Sequence, residues 1–224
     1  MPSTDIYAYE YYPTPNAYVR WLKEYLAFTH DFSLGYGLAP CVGSGVIPQV
    51  FSELAWVTND LDPAWDAGFH GDAGEPEMWQ VWLDHLRGIT TPDYHFDLLV
   101  ENPAYSCAFP ILWNAIHASA AITIALHVRL SFFEATKTSP EKVGFLATHS
   151  PRAILHLPRY PYQKSRRTGD YSQDTMPSCW AIWEMTDNYD ADATKMVYPP
   201  AWVYYEAKAE HRARVSAEKV AAHV

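Results

Sequence analysis

The sequence predicts a mainly α-helical fold with a few short strands, packed as one compact domain around a long buried central helix; an α+β arrangement is the open alternative. Three observations lead there. Pro15, Pro76, Pro110 and Pro140, and the pair Pro199–Pro200, stand at the heads of stretches that read as helices. No charged residue lies between Glu101 and Arg129, and Pro110 would open a helix there that runs to about Ala135. Regular strand–helix alternation, the mark of a doubly wound sheet, is not evident.

Taken in order, residues 1–15 form a Tyr- and Pro-rich arm of extended character, followed by one globular domain over 16–224. Pro15 starts a helix to about His30, in which Tyr18, Trp21, Leu22, Tyr25, Leu26 and Phe28 give a wide apolar face. Gly35, Gly37, Gly43 and Gly45 mark an irregular region, and a short helix is expected around Gln49–Thr58. Asn59–Glu77 reads as an acidic loop. Pro76 opens a helix that Gly88 closes, with Met78, Trp82, Leu83 and Leu86 at helical spacing. Tyr94–Val100, Ala153–Leu157 and Cys179–Met185 are strand candidates, Ser139-Pro140-Glu141 caps a short helix, and a final helix spans 201–222.

Composition bounds the function. Charged residues are 19% of the 224, below the ~25% of an average domain, while 49% are hydrophobic and 15% aromatic. Low charge with 9 Trp and 16 Tyr predicts either a large aromatic core or surface covered by a partner. Cys41, Cys107 and Cys179 form no C-x-x-C pair, so neither a disulfide framework nor a thiolate zinc site is expected, and a reducing, intracellular location fits. Met1–Glu10 has no basic start and no apolar run, so no signal peptide is expected. Ile111–Val128 is long enough for a membrane span, but Asn114, His117, Ser119, Thr123 and His127 dilute it, and a buried core helix is the favoured reading.

Charge is uneven along the chain. Residues 1–141 hold 17 acids and 5 Lys or Arg, a net −12; residues 142–169 hold six bases and no acid; residues 170–224 hold 9 acids and 5 bases, a net −4. Lys142, Arg152, Arg159, Lys164, Arg166 and Arg167 form the basic block, interleaved with Tyr160 and Tyr162. Such a block suits phosphates and stacked bases, or an acidic protein surface.

The most suggestive chemical cluster is Asp93-Tyr94-His95-Phe96-Asp97. On a strand, Asp93, His95 and Asp97 share a face, where two carboxylates and an imidazole can bind a metal or hold a His for proton transfer. Cys41-Val42-Gly43-Ser44-Gly45 lacks the leading Gly of a nucleophile elbow and reads as a flexible turn. No motif implies a cofactor. These features point away from an enzyme and toward a structural, self-assembling or complex-forming subunit. Its concrete form would be a viral capsid-type protein with Arg152, Arg159, Lys164, Arg166 and Arg167 facing nucleic acid, and its partners copies of itself or other subunits. The alternative is a His/Asp-dependent enzyme built on Asp93, His95 and Asp97.

Overall fold

The apolar stretch expected as one central helix is instead a helix followed by a strand: α4 (Ala108–His117) ends, and β4 (Ala121–Arg129) begins four residues later. The stop lies in the backbone. Ser119 takes a left-handed φ of 46°. The Ala120 N–H donates to the Ala115 carbonyl at 2.9 Å and the Ser119 N–H to Ile116 at 3.0 Å, the paired bonds that close a helix C-terminus. A Gly normally marks such a turn; here a Ser does, within an unbroken run of small and apolar residues. Ile122, Thr123, Ile124 and Val128 are β-branched, and their side chains suit a pleated surface.

The computed structural model describes residues 13–31, 35–134, 140–159, 177–185 and 194–221. The other strands are β1 (Tyr36–Ala39), β2 (Ala55–Thr58), β3 (Phe96–Glu101), β5 (Ala153–His156), β6 (Ser178–Glu184) and β7 (Lys195–Val197). The other helices are α1 (Asn16–Leu26), α2 (Val46–Val50), α3 (Pro76–Ile89), α5 (Pro140–Thr148) and α6 (Ala201–Ala221). The strands form one sheet in the order β2-β1-β3-β4-β6-β5-β7. Among the described residues only β6 runs against its neighbours, pairing antiparallel with β4 and β5; the other described pairings are parallel. The fold is therefore α/β, which corrects the mainly helical expectation and its central helix. The Tyr/Pro-rich arm falls outside the described residues except for 13–15.

The correction has a physical cause. A sheet with helices on both faces buries both faces of its strands, so alternation disappears. Along β6, Cys179, Ala181 and Trp183 face one layer with α3, α4 and α5, while Trp180 and Ile182 face the other with α1, α2 and α6. Trp79, Trp82, Trp180 and Trp183 are among the largest fully buried side chains, so much of the aromatic content goes into two cores rather than a subunit interface. Where the sequence reading placed a helix at Gln49–Thr58, α2 takes five residues and β2 four.

On one face, α1 and α6 pack together. Pro15 offers no capping side chain at the start of α1. Glu210 of α6 substitutes for one, accepting the Asn16 N–H at 2.8 Å and the Ala17 N–H at 2.9 Å, beside an Arg20–Glu206 ion pair at 2.6 Å. No helix among the described residues is long and apolar enough to cross a membrane.

Candidate functional site

β1 lies between β2 and β3, so the chain leaves β1 toward one side and returns to β3 on the other. In open α/β sheets a crevice forms outside the carboxyl ends of the strands at such a switch point. A cavity of about 510 Å³ opens there, a size suited to a small molecule. The turn after β1 (Pro40–Ser44), Asp60, Leu61 and Asp62 beyond β2, Asp72 and Ala73, and Glu101 at the end of β3 with Asn102 and Ala104 after it line it.

Hydrogen bonds to carboxylates shape the loops. Asp60 accepts the Gly43 N–H at 2.8 Å through one oxygen and the Asp62 N–H at 2.9 Å through the other. Gly43 and Gly45 take positive φ angles of 49° and 74°, which lets the turn fold back over the end of β1. Buried Asn59 donates its amide to the carbonyls of Pro40, at 2.7 Å, and Gly71, at 3.0 Å, tying the loop after β1 to two parts of the connection after β2.

Glu101 is 1% exposed. Its carboxyl accepts the Cys41 N–H and the Asn102 N–H, each at 2.7 Å, joining the loops after β1 and β3. Burial raises its pKa from 4.5 to about 8, against the lowering effect of those two bonds and with a further rise from the charge of Asp60. Burial, and next the charge of Glu101, hold the Cys41 thiol well above its ordinary range, so this cavity cysteine is not a ready thiolate.

Asn102 is fixed from two sides. Its Nδ2 donates to Thr14 Oγ1 at 2.9 Å, and its Oδ1 lies 2.8 Å from Nδ1 of His127 on β4. His127 is fully buried, and burial drops its pKa from 6.5 to about 3, so the ring is neutral.

The electrostatic character of the cavity is one-sided. Asp60, Asp62, Asp72 and Glu101 line it, and no Lys, Arg or His is among its described lining residues. The Gly43 N–H is committed to Asp60, and α2 is a five-residue turn of helix. Phosphate sites at this position in α/β folds use free loop amides and a full helix N-terminus; here the Cys41, Val42 and Gly43 amides donate to Glu101, the Asn59 carbonyl and Asp60, and α2 is too short for such a terminus.

The residues singled out from sequence lie elsewhere. Asp93 is exposed in the turn before β3. His95 Nδ1 donates to the Ser119 carbonyl at 2.6 Å. Asp97 accepts the Tyr36 N–H at 2.8 Å and the Tyr94 O–H at 3.2 Å. All three sit near the amino end of β3, across the sheet from the cavity, and no metal-holding group of three or more His, Cys, Asp or Glu occurs among the described residues.

Arg152 precedes β5 at that same amino edge and pairs with Glu184 at 3.8 Å. Arg159, beyond the carboxyl end of β5, is exposed on the cavity's edge of the sheet. Lys164, Arg166 and Arg167 lie outside the described residues.

Sequence reasoning missed Asp60, Glu101 and Asn102. The available signal was a Gly-containing turn at 43–45 followed 15 residues after Gly45 by Asp60, a spacing that needs β1 and β2 on either side to mean anything.

No protein-family model matches the chain, and no curated protein matches it in sequence. Its fold does match solved structures. The methyltransferase subunit of a type I restriction-modification system from Streptococcus thermophilus aligns with a TM-score of 0.59 and 11% identity over 84% of this chain and 47% of that one. A class I S-adenosylmethionine-dependent methyltransferase from Listeria monocytogenes aligns with a TM-score of 0.52 and 12% identity over 88% of this chain and 70% of that one. This chain thus spans about half the length of the first. What is shared at such identity is the fold alone, a Rossmann-like α/β sheet with helices on both faces. These neighbours overturn the expected self-assembling, capsid-type subunit.

Proposed function

We propose that this chain is an S-adenosylmethionine-dependent methyltransferase domain. The observation that carries the reading is the acidic cavity, without a described basic lining residue, at the carboxyl ends of β1, β2 and β3. Dinucleotides bring phosphates, which three neighbouring aspartates repel. S-adenosylmethionine brings a ribose diol, an adenine and a cationic sulfonium with an ammonium group, and no phosphate. The residues present fit it: Asp60 has carboxylate lone pairs for a diol, Leu61, Ile47 and Ala73 offer apolar contact to a base, and the acidic lining complements the positive charge. When bound, the donor supplies an electrophilic methyl group and leaves as a neutral thioether. The protein's share is to hold the donor, keep water from it and orient the acceptor.

For the acceptor we favour a nucleic acid. Exposed Arg159 lies beyond the carboxyl end of β5, on the same edge of the sheet as the cavity, and Lys164, Arg166 and Arg167 follow it in the sequence. The S. thermophilus neighbour is a subunit of a larger system, so partner subunits belong to the same proposal.

Calorimetry tests the donor site. S-adenosylmethionine should bind, ATP and NAD should not, and Asp60→Ala should weaken binding by about 10- to 100-fold through lost charge-assisted hydrogen bonds. Equal binding of ATP, or no binding of S-adenosylmethionine, would overturn the reading.

A further inference from the structure

We infer that His127 is a positioning residue that sets the orientation of the Asn102 carboxamide at the cavity wall. The inference rests on the proposed donor site for its ligand consequence, and on geometry alone for the positioning itself.

Asn102 is the first residue past β3, and its peptide N–H is held by Glu101. A carboxamide in that place has two orientations, which exchange a donor for an acceptor toward a ligand. His127 stands on β4, the neighbouring strand, with no exposed surface. Its ring packs 5.3 Å from that of Trp180 and 6.2 Å, edge on, from that of Tyr18. The ring therefore cannot turn away without opening the core between β4, β6 and α1.

A neutral imidazole carries one proton. Facing Asn102 Oδ1, an acceptor, at 2.8 Å, that proton belongs on Nδ1. The bond then places Oδ1 toward His127 and leaves Nδ2 toward Thr14 and the cavity. An Nε2–H ring would reverse this, drawing the amide NH2 to Nδ1. Tautomer and amide orientation are one coupled choice, made by a residue outside the cavity lining.

Two measurements on the intact protein decide it. Long-range ¹H–¹⁵N correlation spectra at pH 7 should show His127 as the neutral Nδ1–H tautomer. The Asn102 side-chain NH2 pair should be sharp in the wild type and averaged in His127→Leu, while backbone signals away from the site stay in place. An Nε2–H or charged ring, or an unchanged Asn102 pair, would overturn the positioning.

The second measurement is a double-mutant cycle on S-adenosylmethionine affinity, with thermal melts alongside. His127→Leu and Asn102→Ala should each weaken binding about tenfold, and the double variant no further. His127→Gln, which keeps a donor, should recover most of the loss. Independent factors multiplying to about a hundredfold, or a lowered Tm with unchanged affinity, would reduce His127 to a core residue. If the wild type binds no S-adenosylmethionine, the proposed function fails while the spectra still decide the positioning.

Discussion

The Glu101→Gln variant is expected to cross over with the wild type in stability: less stable at pH 5, more stable at pH 8. The glutamate's pKa of about 8 in the fold exceeds its ordinary 4.5, so the folded protein holds a proton that the unfolded chain has released. Wild-type stability therefore falls as pH rises from 4.5 to 8, by up to on the order of 4 kcal/mol. Glutamine removes that dependence. It also leaves only one good acceptor for the two N–H groups of Cys41 and Asn102, a cost of about 1–3 kcal/mol that does not vary with pH.

His127 contributes the opposite slope. Its pKa is lowered from 6.5 to about 3, so the unfolded chain takes up a proton first and stability falls as pH drops through that interval. Between 4.5 and 6.5 the two slopes cancel, giving the wild type a plateau. The variant should lose the decline above 6.5 and keep the acid limb. Urea titrations at pH 4, 5, 6, 7 and 8 provide the check. A variant curve parallel to the wild type between 6.5 and 8 would show that Glu101 is not buried as a neutral acid.

Trp180→Ala should cost about 3–5 kcal/mol, a large share of the total stability of an ordinary domain. The indole sits in β6 opposite His127, with no exposed surface. It donates Nε1–H to the Tyr18 carbonyl at 3.0 Å, linking the sheet to α1. Alanine leaves a cavity in the layer where α1, α6 and the sheet meet, and the surrounding strands can collapse only partly into it. Trp180→Phe keeps most of the buried area and loses the hydrogen bond, so about 1–2 kcal/mol is expected. Denaturant midpoints for the two variants separate the contributions; an alanine variant within 1 kcal/mol of the wild type would contradict this packing.

Several elements were legible because their ends carry chemistry. Pro15, Pro76 and Pro140 do precede or open α1, α3 and α5, and Tyr94–Val100, Ala153–Leu157 and Cys179–Met185 overlap β3, β5 and β6. β1 and β2 are four residues each, too short for a pattern to stand out. β4 was hidden by the Ser119 turn and by its own two-sided burial, which gives strand and helix the same apolar run. Missing those three strands concealed the switch point, and the site went with it. Asp60, Glu101 and Asn102 are ordinary residues in the linear chain and become a site only when three parallel strands end side by side. Asp93, His95 and Asp97 stood out because a short linear pattern is visible without a fold.

The Glu210 cap on α1 has a consequence for how the protein is made. Asn16 emerges from the ribosome 194 residues before the side chain that satisfies its amide. Until then α1 has an open first turn, and the apolar face that will meet Val203 and Ala207 has no cover. β4 likewise waits for β6. The nascent chain therefore carries α1 and half its sheet incomplete while the intervening residues are made, the interval in which a chaperone has most to shield.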